Sequence, residues 1–137
     1  MAFLGYLMKF GQTLFPNRYL IPSSYKVTPY QRLEQDSYRD ASGLLHRETL
    51  SSYKTKIDFT TRTNIKLQDK INMFNVFNNG LLNSRERKYH IEYWNDETSS
   101  YCFGDFYMPD VEYTIKKINE STNDLIYDSI RIAFIEY

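Results

Sequence analysis

The chain has 137 residues, enough to bury one core of its own, and its 42% hydrophobic and 25% charged content excludes a disordered polymer. Its 17 basic residues are balanced by 17 acidic ones, so the basic surplus expected of a nucleic-acid binder is missing from the composition, and near-zero net charge does little to keep copies apart. A single cysteine excludes an internal disulfide and any Cys-based zinc site.

Aromatic residues reach 17%, with 13 Tyr and 9 Phe against one Trp, and such residues favour pleated, half-buried surfaces. The first segment alternates around Tyr6, Met8 and Phe10 and reads as a strand. It lacks the basic leader and small-residue cleavage site of a secretory signal, which predicts folding in a reducing cytoplasm. Phe15-Pro16-Asn17 is a turn signal, and residues 24–28 form a second short strand between Pro22 and Pro29. From Gln31 to Gly43 the chain is polar with no apolar period, which predicts a loop.

Residues 44–50 are strand-like, and 52–59 is the clearest strand of the chain. Tyr53, Thr55, Ile57 and Phe59 share one face there, with Lys54, Lys56 and Asp58 on the other. One helix follows over about 65–78, with Leu67, Ile71, Phe74 and Phe77 as a single apolar stripe. Thr63 or Asn64 is placed to cap its start, and Asn78-Asn79-Gly80 supplies left-handed residues for its end. A stripe of this kind can line a ligand pocket, but packing of a helix on a sheet accounts for it more simply.

The second half returns to strands. Residues 88–94 alternate with Tyr89, Ile91 and Tyr93 on one face, Asn95 to Thr98 is a hairpin turn, and 100–108 runs back. After Met108-Pro109-Asp110 a further strand covers 111–118, with Val111, Tyr113 and Ile115 together. Residues 119–124 are a polar turn. The last segment, 130–137, is rich in Ile and Phe and belongs inside a sheet. With no linker, repeat or low-complexity stretch, residues 1–137 read as one domain. The fold class is mainly β (α+β), an antiparallel β-sandwich or open barrel with one helix, its strand order left open.

Little in the chain points to chemistry. His46 and His90 stand far apart in sequence, among polar neighbours, and read as solvent-facing strand positions. Cys102 lies in the aromatic run Tyr-Cys-Phe and reads as a buried, inert thiol. No phosphate-cradling glycine loop or nucleophile elbow is present. Acid–base pairs such as Asp105 with Asp110, or Glu92 with Glu112, rest on residue type alone. The cluster from Ser84 to Lys88 reads as a solvated strand entrance. We therefore expect no catalytic, cofactor-binding or metal site, no membrane partner and no enzymatic activity. Abundant tyrosine without a convergent polar site suits an assembly subunit or a recognition module, with Tyr30, Tyr38 and Tyr53 as candidates for facing neighbours.

Three stretches carry a resemblance: residues 37–47 (SYRDASGLLHR), 54–59 (KTKIDF), and 106–113 (FYMPDVEY) together with the tail 130–137 (IRIAFIEY). The chain resembles a group of small, uncharacterised proteins encoded in the tail-gene regions of phages and prophages of Gram-positive bacteria. The order of its elements is similar to that of the tail-tube fold, shared by tube proteins, inner baseplate rings and the N-terminal domain of distal tail proteins. That resemblance implies a structural virion protein of a phage tail, made in the host bacterial cytoplasm. Copies would form a ring, expected to be hexameric, in the tube, the tail terminus or the baseplate. Its partners would be itself and other tail proteins, with DNA meeting it only by passage through a lumen lined by polar or acidic positions. The polar segment of about 33–47 would be a protruding loop reaching adjacent subunits, with Glu34, Asp36, Tyr38, Arg39, Asp40, Leu44 and Arg47 as inter-subunit contacts. The alternative is a small β-sandwich recognition module for carbohydrate or a host surface protein, with Trp94 and Tyr101 stacking on sugar faces.

Overall fold

Alternation of period two decides the main layer. The computed structural model describes residues 3–34, 38–46 and 49–137. In chain order these form strands β1 (Met8–Phe10), β2 (Thr13–Leu14), β3 (Lys26–Glu34), β4 (Tyr38–Arg39), β5 (Leu45–His46), β6 (Thr49–Thr60) and β7 (Ile65–Lys66). Helix α1 (Leu67–Asn78) follows, then β8 (Leu81–Asn83), β9 (Lys88–Asn95), β10 (Ser100–Tyr107), β11 (Ile115–Asn119), β12 (Asp124–Tyr127) and β13 (Arg131–Glu136). An eight-stranded sheet runs in the order β2-β1-β9-β10-β13-β6-β3, with β8 also on β9. Strands β11-β12-β7 make a three-stranded sheet, and β4 and β5 pair with each other. The named pairings are all antiparallel. The architecture is the α+β sandwich that the sequence predicts.

Strand β9 shows why this sheet is one-sided: half-buried and buried residues alternate without a break from Lys88 to Asn95. Its register with β10 is continuous from Ser100↔Asn95 to Tyr107↔Lys88. The last strand, β13, lies between β10 and β6. Burying Ile132 and Phe134 there holds the Ile- and Phe-rich tail in place, as expected. On the covered face, Met8, Phe10, Ile57, Phe59, Ile91, Tyr93, Phe106 and Phe134 join one core with Met73 and Phe77 of α1 and Tyr127 of β12. Phe77 is the keystone: its ring centroid lies 4.9 Å from Phe10, 5.4 Å from Phe15 and 5.6 Å from Phe134.

Several expectations need correction. The segment after Pro29 is a strand, not a loop: β3 continues to Glu34. Proline is tolerated because β3 is the margin strand and the register shifts between Thr28 and Gln31, so no ladder donor is missed. The helix starts later than expected, since Ile65 and Lys66 are drawn into β7 opposite Tyr127 and Ile126. Lys66 is its N-cap in place of Thr63 or Asn64, and the Lys66 N–H donates to Asp69 Oδ2 at 3.4 Å. Met73 and Phe77 are its buried residues, whereas Ile71 is exposed. The helix end uses no left-handed residue, because Asn79 is right-handed at φ −65°. Gly80 is required instead for close approach: a Cβ there would stand 2.7 Å from the His90 carbonyl oxygen. Strand β11 begins only at Ile115, and the short strands β8 and β12 were not anticipated.

Candidate assembly surfaces

Strands β3 and β6 form a long hairpin, paired from Lys26↔Asp58 to Glu34↔Thr49. Beyond them Tyr38 pairs with His46 and Arg39 with Leu45. Short polar side chains that bond their own backbone close the tip. Asp40 Oδ1 accepts from Ser42 N (3.0 Å), Ser42 Oγ (2.6 Å) and Leu44 N (3.1 Å), and the Asp40 N–H donates to the Leu44 carbonyl at 3.0 Å. Gly43 supplies φ +87°, and the Arg39 guanidinium donates to its carbonyl at 3.0 Å. The tip is thus preformed and presents Tyr38 (60% exposed), Leu44 (62%) and Leu45 to solvent.

Of the expected contact residues, Tyr38, Arg39, Asp40 and Leu44 are brought together at this tip, with Asp40 turned inward as its organiser. Glu34 is placed by its backbone at the end of β3, and its side chain lies outside what is described. Asp36 and Arg47 lie outside the described residues, as do the side chains of Tyr30, His46 and Tyr53. The sequence did not single out Leu45, which emerges as exposed only once β5 is paired.

The sheet margins are a second feature. Strand β3 ends the main sheet on one side and the two-residue β2 on the other. Strand β11 ends the smaller sheet, and a bulge between Ile115 and Lys117 brings Ile115 and Ile118 onto one face, both exposed. Margin strands carry unpaired backbone donors and acceptors, which favours pairing with another chain.

The outward face of the main sheet is open. His90 Nδ1 lies 3.0 Å from Asp105 Oδ1, Lys9 Nζ 3.7 Å from Glu92 and Arg131 3.4 Å from Asp58. Phe103 stands among them, 74% exposed, its ring centroid 5.7 Å from that of His90. At the β9–β10 turn the aromatic pair is not free. Phe3 packs edge-on to Trp94 (5.2 Å) and Tyr6 stacks on Tyr101 (4.6 Å), while the Tyr101 hydroxyl donates to the Tyr6 carbonyl at 2.8 Å. The rings assigned to sugar stacking are therefore occupied by the chain's own N-terminal segment.

The titrating groups are structural in character. Burial raises the Tyr25 hydroxyl well above its ordinary value of 10.0, with Asp96 adding to the effect, and the hydroxyl donates to the Trp94 carbonyl at 3.4 Å. Burial also raises Tyr89, Tyr93 and Tyr113. Cys102 is half-buried rather than buried, with its Sγ 3.6 Å from Asn95 Nδ2. Among the described residues no three His, Cys, Asp or Glu side chains stand together as a metal site, and no described helix is long and apolar enough to cross a membrane.

Fold and surfaces together define a helix-covered antiparallel β-sandwich with a long, preformed hairpin and open margins. The whole chain, residues 1–137, matches the family of unknown function DUF6711, and the protein belongs to that family. No curated protein matches it in sequence. In fold it is similar to a chain of a solved structure described as the tail of an empty GTA particle, computed with helical refinement and C6 symmetry. The match has a TM-score of 0.50 at 14% identity and covers 99% of this chain and 95% of that one.

Proposed function

We propose that this protein is a structural subunit of a phage-like tail, residing in the particle and assembling with its own copies into a six-membered ring. The observation that carries the reading is the end-to-end likeness in fold to a chain of a C6-symmetric tail. A long hairpin with an apolar tip and sheet margins open to pairing suit such a subunit, because closing a ring covers strand edges that a lone molecule leaves bare. The ring belongs to the tube, the tail terminus or the baseplate; its partners are itself and other tail proteins, and DNA passes through its lumen. The hairpin tip around Tyr38, Arg39, Asp40 and Leu44 protrudes to reach the adjacent subunit or the next ring. No catalytic role is assigned.

The test is assembly of the purified protein. Light scattering behind size-exclusion chromatography, with negative-stain microscopy, should show six-membered rings or stacked tubes as concentration rises. Replacing Tyr38 and Leu44 by Asp should leave the fold intact and abolish assembly. A protein that stays monomeric at every concentration, and in its native particle, would overturn the reading.

A further inference from the structure

The neutrality of the chain is an average over regions of opposite sign. Carboxylates in turns and loops include Asp96, Glu97, Glu120 and Asp128. On the open face of the main sheet the described carboxylates Asp58 and Glu92 are paired with Arg131 and Lys9, and Asp105 is in hydrogen-bond contact with His90. The same face also carries Lys26, Lys54, Lys56 and Lys88, of which Lys54 donates to the Tyr137 carbonyl and Lys88 holds its ammonium 4.6 Å from the Tyr137 ring centroid.

Register places Lys88 and Lys56 on one cross-strand row. Lys88 pairs with Tyr107, Tyr107 with Ile135 and Ile135 with Lys56, so one cross-strand row carries a cation at each end. Three strand spacings put the two backbones about 14 Å apart. Lys26 lies on the same face opposite Asp58. Two positions before Asp105 on β10, Phe103 projects from the same face with most of its ring in water. Such exposure is unusual for a large aromatic in a central strand, since its free energy favours burial. Phe103 lies opposite Glu92, four positions along β10 from the row that carries Lys88 and Lys56. Cations and an exposed aromatic ring on one sheet face are the elements that bind single-stranded nucleic acid, phosphates on the cations and a base on the ring.

We infer that the open face of the main sheet is a sequence-independent nucleic-acid contact surface, its lysines meeting backbone phosphates and Phe103 stacking on an unpaired base. The inference does not depend on ring formation. With about four phosphate contacts the logarithm of affinity should fall with the logarithm of salt at a slope near −3 for a single strand. Contact is then weak at physiological salt, which suits a strand that moves across the face rather than one held on it.

The experiment uses the full-length protein, with fluorescence anisotropy of a labelled oligothymidylate and of a labelled duplex, at low and then rising salt. Both should bind at low salt. Lys56→Glu with Lys88→Glu should abolish binding of both, and Phe103→Ala should weaken the single strand about tenfold and spare the duplex. Circular dichroism of each variant checks the fold, and micrographs of the same samples read ring formation separately, so failure here and failure of the ring proposal are distinguishable. Three results would overturn the inference: no salt-dependent binding, indifference of the single strand to Phe103→Ala, or competition by polyglutamate as effective as by oligonucleotide, which would assign the face to an acidic protein.

Discussion

Gly11 and Gly80 meet at the junction where the turn after β1 passes the end of α1. Gly11 holds φ +61°, and a Cβ there would lie 2.4 Å from the Asn79 carbonyl oxygen, while a Cβ on Gly80 would crowd the His90 carbonyl. Neither obstacle is the end of a flexible side chain; both are backbone carbonyls, and that of His90 accepts from the Gly11 N–H at 3.4 Å. We expect Gly11→Ala to destabilise the fold by about 3 kcal/mol, from crowding and a left-handed backbone together, as read by urea unfolding. Gly5, with nothing within 4 Å of its would-be Cβ, serves as the contrast where only the positive φ matters. Tyr25 supplies a pH-dependent effect. Its folded hydroxyl holds a proton that the unfolded chain gives up near 10.0, so its contribution is fully present below that pH and is lost as pH rises beyond it. Tyr25→Phe should therefore show a smaller drop in unfolding midpoint between pH values below and above 10.0 than the wild type does.

At the scale of elements, the helix shows how far pattern reading reaches. Its apolar stripe was legible, but which edge of the stripe is covered depends on where the helix starts and what lies beneath it. Pairing of Ile65 and Lys66 with β12 delays that start, and the covered side is Met73 and Phe77 rather than Ile71. Phe77→Ala should cost about 3–5 kcal/mol, because it opens a cavity among Phe10, Phe15 and Phe134, whereas Ile71→Ala should stay below about 1 kcal/mol. Thermal or urea unfolding of the two variants checks the difference. The hairpin gives the opposite lesson. Residues 31–34 and 38–39 have no apolar period because β3 is a margin strand and, among the described residues, β4 pairs only with β5, so nothing compelled an alternating pattern. Of the candidate contacts, the Asp40-Ala-Ser-Gly43 turn chemistry was readable as a loop signal; that it caps paired strands was not.

At the scale of the whole molecule, assembly and charge sorting are both consequences of topology. If the margins of the main sheet are closed by neighbours, the population of rings should rise with protein concentration and be insensitive to substitutions at the end of β9, such as Trp94→Phe. Light scattering on that variant beside the tip variant checks this. Composition and alternation determined the fold class, the one helix, the buried faces of β6, β9 and β13, and the want of any catalytic motif, because each follows from local periodicity or from the count of chemically capable residues. Only the tertiary structure decided the strand order, the pairing that turned a polar segment into a hairpin, the covering of Trp94 and Tyr101 by Phe3 and Tyr6, and the gathering of lysines on one face of a neutral chain. Those depend on which residues far apart in sequence become neighbours across a sheet. That information is carried by pairing and packing, not by any window of adjacent residues.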